Sequence, residues 1–71
     1  VVLRFDTFAK AMALAGFRSD AAVARAMRVH RSTVKRIREG ELLPGPAFIA
    51  GALSALRPME FTDLFVAVEQ A

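Results

Sequence analysis

Between His30 and Glu39 the chain reads H-R-S-T-V-K-R-I-R-E, a run rich in positive charge and hydrogen-bond donors. Arg31 and Arg36 carry planar forks of donors, Lys35 a compact ammonium, and Ser32 and Thr33 hydroxyls that donate or accept. At about 100° per residue, Val34 and Ile37 turn to one side of a helix. Ser32, Lys35, Arg36 and Glu39 turn to the other, with Arg31 at the flank. Bond-breaking chemistry finds no matching residues: there is no paired-carboxylate spacing, no nucleophile beside a base, no phosphate-cradling glycine loop and only one histidine. The chain has no cysteine, which excludes disulfides and thiolate metal sites. The expectation is a binding protein that is not an enzyme and needs no cofactor, metal or small-molecule ligand.

The charge is concentrated around the same residues. From Arg18 to Arg38, seven cations (Arg18, Arg25, Arg28, Arg31, Lys35, Arg36 and Arg38) face one acid, Asp20, for a local charge of +6. The rest of the chain sets Arg4, Lys10 and Arg57 against six acids, for −3. A basic block in mildly acidic surroundings is the footprint of a surface that meets a polyanion. A solvated charged face is the plainer explanation of the same pattern.

These side chains need a scaffold, and the 71 residues allow one domain with one small core. Alanine-rich composition favours close-packed helices. Phe5, Phe8, Ala9, Met12 and Ala15 recur at helical spacing, which predicts a first helix from about Thr7 to Ala15, capped by Asp6 and closed by Gly16. Ser19 suits the N-cap of a second helix, Asp20 to Met27, with Val23, Ala24 and Met27 on its inner face. A third runs from His30 to Glu39 and ends at Gly40. Leu42 and Leu43 are expected to tuck under a fourth helix, Pro46 to Leu56, which buries Phe48, Ile49, Ala52, Leu53 and Leu56. Thr62 to Glu69 reads as a fifth, with Thr62 as cap and Phe61, Leu64, Phe65 and Val68 as an apolar stripe. No repeat, low-complexity stretch or strand signal interrupts this all-α pattern.

The second and third helices are joined by only Arg28 and Val29, with the small Ala24 where the two would cross. This is the spacing of a helix-turn-helix, over residues 19 to 40. The segment SDAAVARAMRVHRSTVKRIREGE resembles the motif of the phage lambda repressor and Cro family. Ser19 stands as the small polar residue before helix two, Ala24 lies inside it and Met27 before the turn. A run from Val29 through His30, Arg31, Ser32, Thr33, Val34, Lys35 and Arg36 to Ile37 follows, and Gly40 closes helix three. The chain departs from that pattern at three places. Arg28 replaces the usual turn glycine, Asp20 replaces a frequent glutamine, and Arg38 replaces a common Glu whose basic partner in helix one would stand near Met12.

The resemblance implies a compact five-helix domain spanning residues 1 to 71 that binds double-stranded DNA as a transcriptional regulator, a repressor of phage or bacterial type. It also implies that the third helix lies in the major groove, with Arg31, Ser32 and Arg36 touching base edges. Phosphate contacts are expected from Arg18, Ser19, Arg28, Thr33 and Lys35. The expected partners are DNA and a second copy of the chain, paired in solution or only on DNA, with the Phe61 to Val68 stripe as the surface for pairing. The rival expectation is a protein-binding module that uses Phe61, Phe65 and Val68. No apolar run reaches membrane-spanning length and Val1 to Leu3 does not resemble a secretion signal, so a cytoplasmic location is expected.

Overall fold

The computed structural model of the chain describes residues 1–67. Five helices and one pair of short strands follow in the order β1 (Val2–Leu3), α1 (Phe5–Leu14), α2 (Asp20–Met27), α3 (Arg31–Arg38), α4 (Pro46–Ala55), α5 (Phe61–Leu64) and β2 (Phe65–Val66). The architecture is therefore mostly helical, and the strand pair corrects the expectation of helices alone.

Three helix ends share one physical solution. Gly16, Arg28 and Gly40 all take left-handed backbone angles just past α1, α2 and α3. Two crossed hydrogen bonds close each end. At Arg28 these are Arg28 N–H to the Arg25 carbonyl at 3.2 Å and Val29 N–H to the Ala24 carbonyl at 3.0 Å. Two glycines occupy such positions without steric cost; Arg28 does so against its Cβ.

Val23, Ala24 and Met27 from α2, Val34 and Ile37 from α3, and Phe48, Ala52 and Leu56 from the α4 region are buried in one apolar cluster, with Val29, Ile49 and Leu53 half-buried against it. The small Ala24 is 2% exposed. Gly51 marks where α4 meets the end of α2: a Cβ there would stand 2.5 Å from the Met27 carbonyl oxygen, so only a bare backbone fits. Phe8 of α1 stacks on Phe48 of α4 at 5.8 Å, Phe48 meets Phe65 edge-on at 6.3 Å, and Phe65 stacks on Phe61 at 5.2 Å. That aromatic chain ties α1, α4, α5 and β2 together.

Both ends of the chain depart from the expected pattern. Helix α1 starts at Phe5, so Asp6 lies inside its first turn and caps nothing. Phe8, Ala11 and Met12 form its buried face, while Phe5 is 55% exposed and Ala9 and Ala15 face solvent. Helix α5 is one turn long and begins after Glu60, whose N–H donates to the Asp63 carboxylate at 2.7 Å; Thr62 is not its cap. After Leu64 the chain extends instead of continuing as helix. Val66 pairs with Val2 and Phe65 with Leu3 in antiparallel register, and Arg4 N–H donates to the Leu64 carbonyl at 2.7 Å. Leu64 and Phe65 are thereby buried in the protomer's own core, at 0% and 2% exposure. Neither is available to a second copy or to a protein partner, Phe61 is half-buried, and Val68 and Glu69 lie outside the described residues. Leu42 and Leu43 do not tuck under α4 either: the buried residue of that loop is Pro44, and Leu43 is 69% exposed. No helix of the described residues is long and apolar enough to cross a membrane.

Candidate nucleic-acid interface

The site is built on α3, whose inner face is fixed by Val34 and Ile37, at 0% and 5% exposure. With those two against the core, Arg31, Ser32, Lys35 and Arg36 are all exposed, as the helical period requires. Thr33 falls at the edge of the inner face and is half-buried, which leaves it less reach than the other candidates.

The start of α3 is held by its own side chains. His30 is the N-cap, in extended conformation, and its Nδ1 accepts the backbone N–H of Ser32 at 3.2 Å. The Ser32 hydroxyl lies 2.7 Å from the same nitrogen. Helix α2 starts in a similar way, with the Ser19 hydroxyl oxygen accepting the Ala22 N–H at 3.1 Å. Ser19 uses a lone pair for this bond, so its own O–H remains a free donor.

Arg18 and Ser19 lie just ahead of α2, Arg25 along it and Arg28 in the turn beyond it, and all four are exposed. The left-handed backbone at Arg28, φ 61° and ψ 39°, puts a cation in the turn between α2 and α3. Among the described residues one ion pair forms, between Arg38 in the last turn of α3 and Asp20 in the first turn of α2. Both partners keep contact with water, so the pair contributes about 0–1 kcal/mol. Its larger consequence is electrostatic: Asp20 is neutralised by Arg38 and does not present a bare carboxylate beside α3. The sequence gives no sign of this pair, because the partners are 18 residues apart. Lys35 lines a shallow depression with Phe5, Asp20, Arg38 and Glu39. Lys35 forms no ion pair with either acid of that depression.

Of the seven cations between Arg18 and Arg38, six remain exposed with no carboxylate partner among the described residues. No group of three His, Cys, Asp or Glu side chains gathers there that could hold a metal ion. The arrangement offers hydrogen-bond donors and positive charge on the outer side of a short, well-anchored helix. The chain matches no protein-family model, no curated protein and no solved structure.

Proposed function

We propose that this chain binds double-stranded DNA sequence-specifically as a helix-turn-helix transcriptional regulator of the lambda repressor and Cro type, a repressor acting in the cytoplasm of a bacterium. The observation that carries the reading is the outer face of α3. Arg31, Ser32, Lys35 and Arg36 are exposed together, the opposite face is locked into the core, and none of the three cations is paired with a carboxylate among the described residues. A helix presented this way suits the major groove, where Arg31 and Arg36 match the acceptors of guanine and Ser32 reaches a base edge. Arg18, Ser19, Arg28 and Lys35 suit phosphates at the rim, with Thr33 the weakest of that set because it is half-buried.

The test is the salt dependence of binding to duplex DNA. With four to six phosphates neutralised, log affinity falls against log salt with a slope of roughly −0.9 per phosphate. A slope near zero removes DNA as the partner.

A further inference from the structure

We propose that His30 makes Ser32 a reader of amino groups, so that at the base it faces the protein selects adenine or cytosine over guanine or thymine. The inference rests on the DNA-binding reading and names which base one of its side chains accepts.

The argument is about one proton. A serine hydroxyl ordinarily donates or accepts, and so reads bases ambiguously. Here the imidazole removes the ambiguity. The Ser32 backbone N–H points at His30 Nδ1, 3.2 Å away, and an N–H can bond only to a nitrogen that offers a lone pair. Nδ1 is therefore unprotonated, and a neutral ring carries its proton on Nε2. The Ser32 Oγ lies 2.7 Å from the same Nδ1, and with no proton on the nitrogen the hydroxyl must be the donor. The backbone N–H and the hydroxyl of Ser32 thus converge on one acceptor. What remains on Oγ for a partner is lone pairs.

Helix geometry places those lone pairs where they count. Val34 and Ile37 lie about 200° and 140° around α3 from Ser32, so Ser32 stands near the middle of the outward face. Both Ser32 and His30 are exposed. In the major groove the bases that offer a hydrogen to an acceptor are adenine, through N6, and cytosine, through N4; guanine and thymine present only acceptors there. Ser19 supplies the contrast within the same chain: its Oγ spends a lone pair on the α2 cap and keeps its proton, so it suits a phosphate oxygen.

Selection from random duplexes with the whole chain and with Ser32→Ala identifies the base pair whose preference Ser32 carries. The expected base on the contacted strand is adenine or cytosine. Replacing it with an analogue that lacks the exocyclic amino group weakens the unaltered protein about three- to tenfold, the size of one neutral hydrogen bond, and leaves Ser32→Ala unaffected. His30→Gly, which keeps a tolerated N-cap residue, frees the hydroxyl proton and lets guanine and thymine in at that position. Where a variant folds poorly, replacing each adenine and cytosine of the preferred site in turn with its amino-free analogue needs only the unaltered protein, and a site in which no position loses affinity overturns the proposal. Selection of guanine or thymine, no cost from the analogue, or no position that depends on Ser32 overturns the proposal. If salt-dependent duplex binding persists in those cases, the DNA-binding reading survives them; if no duplex binds with salt dependence, both fall.

Discussion

Arg31 and Arg36 sit about 140° apart around α3, with Ser32 and Lys35 between them. The two arginines differ from Lys35 in chemistry and in surroundings. A guanidinium fork matches guanine O6 and N7 in a fixed geometry, whereas an ammonium is a point charge, and Lys35 stands near Asp20 and Glu39. Arg31→Ala and Arg36→Ala are expected each to cost about 1–3 kcal/mol on the preferred site and to flatten discrimination at one base pair. Lys35→Ala is expected to weaken every sequence alike. Titrations of the three variants against specific and random duplexes check this, and equal losses on both kinds of DNA for all three would refute the roles. The outward set was legible in the sequence because one period of 3.6 residues fixes it once Val34 and Ile37 are known to face in. The helical period carried the expected helix through His30, which the structure places one position before α3, as the N-cap. Its bond to the Ser32 hydroxyl depends on a ring orientation that no spacing encodes, and the Asp20–Arg38 pair depends on how α2 and α3 are docked.

At the scale of elements, the turn between α2 and α3 combines two opposing demands at Arg28. Its left-handed backbone costs a non-glycine residue on the order of 1 kcal/mol, while its exposed side chain adds a cation beside α3. Arg28→Gly should relieve the strain and remove the charge at once. Stability in urea is expected to rise by about 1 kcal/mol, affinity to fall evenly across sequences, and the salt slope to shrink by about 0.9. A variant that loses stability shows that the side chain contributes packing that outweighs the backbone strain. This turn was readable from the sequence because Gly40 and Gly16 mark the neighbouring helix ends and leave Arg28 as the residue between two periodic stretches. The C-terminal element was not. Phe61, Leu64 and Phe65 fit a helical stripe as well as they fit one turn followed by a strand, and the choice is made by Val2 and Leu3, which lie more than 60 residues away in the chain and supply the strand's hydrogen bonds.

At the scale of the molecule, the described residues bury one apolar core that carries α3 on its surface, and on the DNA-binding reading that sets how much DNA one copy can read. Three candidate base-reading residues, at about 1–3 kcal/mol for each good contact, give about 3–9 kcal/mol, which reaches the roughly 4–10 kcal/mol separating specific from non-specific binding in typical regulators only if nearly every contact is a strong one. Two copies double the readout, and a two-fold pair reads an inverted repeat with half-sites about one helical turn apart. The pairing surface is not the Leu64 and Phe65 stripe, since both residues are consumed by the protomer's own core. Burial of Phe65 likewise takes one of the residues expected of a protein-binding module out of reach, and on the DNA-binding reading an inverted repeat can itself bring two copies together. Sedimentation of the chain with a palindromic duplex is therefore expected to show two protomers per duplex at saturation, whether or not the free chain is a monomer. An isolated half-site should bind far more weakly than the full repeat. One protomer per duplex, with full affinity for the half-site, would show that a single α3 suffices and that symmetric pairing is wrong.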